Sequence, residues 1–167
     1  MNNTNNGILL IFPRLGPYDN VIKDLPLSLL YASRIAQKNG YSVTIVDQRL
    51  HSDWRQIVKG ELEKKPVLAG LSVMTGKPIQ YALEVSKFIK ENSDVPVVWG
   101  GIHPTIMPDQ TLKNNYIDIV AKGDGEFTLH ELAAALSCGT DVSSVKGIGF
   151  LLPLALPKRP TAFLRIV

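Results

Sequence analysis

The chain has 167 residues and one cysteine, Cys138. No disulfide can close within it, and this chain alone cannot hold a multi-cysteine zinc site or an iron–sulfur cluster. Its net charge of +3 traces to residues 151–167, which carry Lys158, Arg159 and Arg165 and no acid; the remainder balances 15 basic against 15 acidic residues. A basic excess confined to a short tail argues against a nucleic-acid surface, and no apolar run reaches the length of a membrane span. The uncharged start, residues 1–6, has neither the basic nor the apolar region of a secretion signal, which predicts a frayed leader and a cytoplasmic protein.

Residues 8–12 predict a first strand, stopped by Pro13. A loop with Gly16, Pro17 and Asp19 leads to a helix that Asp24 caps and Pro26 enters. Leu29, Ala32, Ser33 and Ala36 share one face of it, and Asn39 and Gly40 end it. Residues 43–46 form a second strand. Trp54, Ile57, Val58 and Leu62 mark a second amphipathic helix. Residues 67–73 form a third strand, near-continuously apolar as a sheet covered on both faces requires. A helix then follows Gly76, with Pro78 early and Ile79, Ala82, Val85 and Ile89 inward.

Residues 97–99 form a fourth strand, 105–113 a short helix and 117–121 a fifth strand. The next helix turns Leu129, Leu132, Ala133 and Leu136 inward and is capped by Gly139. Residues 147–152 can add a sixth, edge strand. Beyond them Pro153, Pro157 and Pro160 interrupt apolar residues that show no period. The chain thus divides into an α/β domain, 1–150, and an apolar, proline-rich extension, 151–167, lying on the surface or disordered.

Strands alternating with helices define an α/β fold: a doubly wound, parallel, five-stranded sheet in a three-layer α/β/α sandwich. Its expected order is 2-1-3-4-5, a Rossmann-like arrangement of the flavodoxin-like type. Ligands of such sheets bind beyond the carboxyl ends of the strands. Four loops converge there, 13–19, 74–77, 100–105 and 122–126, and they hold the chain's unusual residues.

Gly100 and Gly101 end the fourth strand without side chains. They serve either a close helix–sheet approach or a ligand that must reach the backbone. Ser72 and Thr75 bracket the end of the third strand, where hydroxyls can meet a phosphate; equally, Ser72 can bond the sheet backbone and Thr75 can cap the next helix. Met74 and Gly76 lie at the same edge. His103 and Thr105 follow the glycine pair. His103 can hydrogen-bond a ligand or simply be a bonded loop residue, and it is not counted a metal ligand. Gly123, Asp124, Gly125 and Glu126 can wrap a ligand edge or form a turn with a cap. His51 and His130 read as helical residues away from the cleft.

Several chemistries are excluded. No G-x-G-x-x-G follows the first strand and no G-x-x-x-x-G-K-[ST] occurs, so dinucleotide and triphosphate sites lack support. The third strand ends in Ser72 rather than aspartate, against a phospho-accepting receiver domain. No G-x-S-x-G appears and Cys138 sits at the far end of a helix, leaving no catalytic nucleophile.

Three segments taken together carry a resemblance. They are Gly70-Leu71-Ser72-Val73-Met74-Thr75-Gly76, Pro96-Val97-Val98-Trp99-Gly100-Gly101-Ile102-His103-Pro104-Thr105, and Asp118-Ile119-Val120-Ala121-Lys122-Gly123-Asp124-Gly125-Glu126. From about residue 8 to 150 the chain resembles the N-terminal cobalamin (B12)-binding domain of cobalamin-dependent radical S-adenosylmethionine (SAM) enzymes. The resemblance implies cobalamin as cofactor, with the corrin flat over the strand ends and its nucleotide tail beside the sheet. It implies cofactor contacts from Ser72, Met74, Thr75, Gly76, Gly100, Gly101, His103, Thr105, Gly123, Gly125 and Glu126.

The loop 13–18 contains no D-x-H-x-x-G, the motif that supplies an axial histidine in methionine-synthase-like domains. The implied state is base-off. The C-x-x-x-C-x-x-C motif of the family's catalytic barrel is likewise missing from these 167 residues. The expected function is therefore a cobalamin-binding module, non-catalytic alone, derived from or part of a radical SAM enzyme of methyltransferase type. Its expected partners are cobalamin and either a radical SAM catalytic domain or a second copy, with neither nucleic acid nor membrane involved. The alternative is a ligand-free scaffold or oligomerisation domain of the same fold, and a further one a flavin or nucleotide binder at the same switch point.

Overall fold

The computed structural model describes residues 6–17, 19, 21 and 24–151, together with the backbone of 152 and 163–166. The leader 1–5 and the prolines and basic pair of 153–162 lie outside the described residues.

Five parallel strands stand side by side in the order expected from the alternating pattern: β2 (Ser42–Asp47), β1 (Gly7–Phe12), β3 (Leu68–Ser72), β4 (Val97–Gly100) and β5 (Ile119–Ala121). Two antiparallel strands, β6 (Ile148–Leu152) and β7 (Phe163–Ile166), extend the sheet beyond β5. The strand expected at 147–152 is therefore paired on both sides rather than an edge. The sequence around β7 gave no strand signal, because its apolar residues do not alternate.

Between the strands lie α1 (Leu27–Lys38), α2 (Trp54–Glu63), α3 (Pro78–Asn92), the short α4 (Ile102–Ile106) and α5 (Pro108–Leu112), and α6 (Gly125–Cys138). Pro108 splits the single short helix expected at 105–113 into α4 and α5, since proline fits a helix start and not its interior. His51 lies in the loop before α2 and not on a helix.

Asp24 does not cap α1. Pro26 holds the N-cap position without a side-chain bond, and the Asp24 carbonyl instead accepts from Arg49 Nη2 at 2.7 Å. Thr75 does not cap α3 either, because Lys77, already helical, precedes Pro78. Gly139 closes α6 at φ 65°, a left-handed position that favours glycine.

Alternation along each strand sends neighbouring residues to opposite faces. One face carries Leu9, Ile11, Leu71, Val97 and Trp99 under α2 and α3. There the Trp99 Nε1–H donates to Ser86 Oγ at 2.8 Å, and Trp54 meets Phe88 edge-on at 5.4 Å. The other face carries Ile8, Leu10, Leu68, Val98 and Ile119 under α1 and α6.

Charges lock the strand ends. Arg49 and Asp47, both buried, pair at 2.7 Å beyond β2. Arg14 and Asp19 pair at 2.8 Å in the loop after β1. Asp118, at the other end of β5, accepts from the Val97 N–H at 2.8 Å and from Lys90 Nζ.

Candidate functional site

On the α1/α6 face the layers do not close. A cleft of about 610 Å³ opens between the two helices at the carboxyl end of the sheet. Its upper floor is made of small residues. Ser72 of β3 pairs with Gly100 of β4, and Ala121 of β5 flanks Gly100. A Cβ built on Gly100 would meet nothing nearer than 3.9 Å, so the space above it belongs to the cleft. One layer deeper, Gly70 stands between Leu10 and Val98. Leu29 and Ala32 of α1 and Leu129 and Leu132 of α6 form the walls.

Gly101 has a different task. Its φ is +95°, and an added Cβ would lie 2.9 Å from the Val73 nitrogen and 3.0 Å from the Val73 oxygen. The chain crosses Val73 so closely there that the Val73 N–H donates to the Gly100 carbonyl at 2.8 Å and the His103 N–H donates to the Val73 carbonyl at 3.0 Å. The doublet thus divides its labour. Gly100 leaves space, and Gly101 makes a turn that a side chain would strain.

Ser72, Gly100, Gly101, Gly123, Gly125 and Glu126 all line the cleft. Ser72 Oγ lies 2.9 Å from Ser28 Oγ of α1. Glu126, in the first turn of α6, accepts from Arg34 Nη2 at 3.0 Å and ties the two helices across the mouth. Met74, Thr75 and Gly76 are exposed on the loop past β3 and do not line the cleft. Thr105 sits behind the rim: its hydroxyl donates to the Gly101 carbonyl at 2.8 Å and accepts from the Gly123 N–H at 3.0 Å, joining the two glycine turns. His103 is buried outside the cleft lining. Its Nδ1 has no partner among the described residues, and burial lowers its pKa below the ordinary value.

The sequence reading missed the α1 side of the site. Ser28, Tyr31 and Ala32 line the cleft, as do Gly70, Phe127 and Thr128; Asp124, already named with its loop, lines it too. Two signals were present: a glycine inside an apolar strand, at Gly70, and small residues on the inner face of α1, where Ala32 lies 3.4 Å from the site of a Gly125 Cβ.

A mostly apolar cleft with small floor residues and a polar mouth has the form of a small-molecule site. Residues 25–133 match the family described as B12 binding domain. The chain belongs to that family, and its cofactor is cobalamin. It is 32% identical over 155 residues to an uncharacterized methyltransferase, PH0819, of Pyrococcus horikoshii, covering 86% of this chain and 32% of that protein. It is 29% identical to the anaerobic magnesium-protoporphyrin IX monomethyl ester cyclase of Rubrivivax gelatinosus, covering 81% of this chain and 26% of that one. The radical S-adenosylmethionine methyltransferase TsrM of Kitasatospora setae, solved with cobalamin and a 4Fe-4S cluster bound, superimposes with a TM-score of 0.75 at 26% identity, covering 87% of this chain and 27% of that one. The chain spans about a third or less of the length of these relatives.

The cleft by its own geometry fits a small-molecule moiety, smaller than a whole corrinoid. Its volume of about 610 Å³ falls in the range of roughly 300–1,000 Å³ usual for small-molecule sites. The space over Gly100 is a cradle that a side chain would fill.

Proposed function

We propose that this chain is the cobalamin-holding module of a radical SAM enzyme and that the α1/α6 cleft takes the nucleotide tail of the corrinoid. The observation that carries the reading is the side-chain-free floor over Gly100, set between helices that leave a channel down the sheet face. Ser28 and Ser72 stand with hydroxyls at the mouth. The first turn of α1 carries no acid and no side-chain cap, a setting that favours an anionic phosphate. Gly123, Gly125 and Glu126 border the opposite rim, and Thr105 holds that rim to β4. Met74, Thr75 and Gly76 stand above, where the corrin edge would pass.

The holding is base-off. The loop after β1 supplies no imidazole; it is occupied by the Arg14–Asp19 pair and by the Arg14 N–H donating to Gln48 Oε1 at 3.0 Å. The bound cobalt would carry a methyl group for transfer. No residue around the cleft acts as acid, base or nucleophile in this reading, so the chain binds and orients while a catalytic domain reacts.

Exposed apolar side chains support such a partner. Leu25, Leu27, Leu50, Met74, Ile102, Ile106, Met107 and Phe127 are all exposed, and each follows the carboxyl end of a parallel strand. On the segments that follow the strand ends, they offer a catalytic domain apolar contacts.

Incubation with hydroxocobalamin, desalting and an absorbance scan test the reading. A coloured protein with a base-off spectrum is expected. A colourless protein overturns cobalamin holding, and a base-on spectrum overturns the placement of the tail.

A further inference from the structure

Resting on the reading above, we infer that the cleft selects corrinoids by the base at the end of the tail: it admits a benzimidazole or a phenol and discriminates against a purine. Below the row formed by Ser72, Gly100 and Ala121, the walls are hydrocarbon. Leu10, Leu29, Val98, Leu129 and Leu132 line the cleft and are each more than nine-tenths buried. Gly70 adds no side-chain polar atom, and Leu10 leans over it, with Cδ2 2.8 Å from where a Gly70 Cβ would be. This layer lies roughly 6–7 Å below the strand ends, two residues back along the sheet.

Among the described residues, the polar side chains of the lining are bonded or, like Tyr31 and Asp124, stand exposed to solvent. The backbones of β3 and β4 bond one another in the ladder. The Thr128 hydroxyl, also buried, is directed to the Lys146 carbonyl at 3.4 Å. Ser28 and Ser72 contact each other at the mouth, and Glu126 is held by Arg34.

A base entering this layer gives up its water and, among the described residues, meets hydrocarbon side chains. A phenol linked through its oxygen brings no ring nitrogen. A benzimidazole brings a single free one. A purine brings several ring nitrogens and an amino group, each costing free energy when buried unpaired. An apolar pocket tolerates added methyl groups more readily than unpaired polar atoms.

The test is equilibrium dialysis of the full chain against four cobamides and one tail-less control. The bases are phenol, dimethylbenzimidazole, unmethylated benzimidazole and adenine, and the control is cobinamide. Unmethylated benzimidazole matches purine in size, so its comparison with adenine isolates polarity from bulk. The phenolyl and both benzimidazolyl forms are expected to bind at least about tenfold more tightly than the adeninyl form. Cobinamide should bind most weakly. Equal binding of the adeninyl and unmethylated benzimidazolyl forms, with cobinamide still weaker, overturns base selection and leaves the tail in the cleft. Cobinamide binding as tightly as the others overturns the tail placement itself.

Discussion

The two faces of this sheet are built from the same strands and end in opposite states. On β4, Val97 and Trp99 turn toward α2 and α3, where the indole fills the interior and bonds Ser86. One residue along, Val98 and Gly100 turn toward α1 and α6, and the layer is left open. β3 repeats the contrast, with Leu71 on the filled face and Gly70 and Ser72 on the open one. Filling one face secures the fold, so the other can be kept hollow for a ligand. The period of two lets a single strand serve both purposes.

The comparison breaks most visibly at Trp99. Trp99→Ala should lower stability by about 3–5 kcal/mol, because it leaves a large cavity and strips Ser86 of its partner. Urea denaturation measures it. A loss below about 1 kcal/mol would contradict the filled face.

The glycine pair sharpens the contrast at smaller scale. Gly101→Ala should cost about 1–3 kcal/mol, since φ is +95° and the new Cβ presses on Val73 backbone. Gly100→Ala should leave the urea midpoint unchanged, because its Cβ enters open space. Arg34→Ala, which unties α1 from α6 across the mouth, should cost less than about 1 kcal/mol, as Arg34 is more than half exposed. Its effect should show instead in faster release of bound cobalamin.

The smallest expected effect is a pH dependence from His103. Burial lowers its pKa below 6.5, so the unfolded chain takes up a proton that the folded chain resists. Stability should hold above that value and fall as pH drops below it. The urea midpoint at pH 5.5 should lie below that at pH 7.5, and the drop should shrink in His103→Gln.

The order of the five parallel strands was legible because apolar strands alternate with amphipathic helices and few sheets satisfy that pattern. Half of the cleft was legible too, wherever glycines or hydroxyls fall at strand ends. Ser28 and Ala32 were not, because on a helix facing the sheet a small residue reads as core until the opposing layer is seen to withdraw. The separate duties of Gly100 and Gly101 depend on one backbone dihedral that neighbouring residues do not announce. β7 escaped notice because a strand at the end of an apolar, proline-bearing stretch shows no alternation.

The most direct measurement is cobalamin retention by Gly100→Phe, with thermal unfolding confirming an intact fold. The ring would project into the space over the β4 strand end. The variant should melt like the parent and lose retention by at least about a hundredfold, some 2.7 kcal/mol. A folded variant that keeps its cobalamin would show that the α1/α6 cleft is not where the cofactor's tail resides.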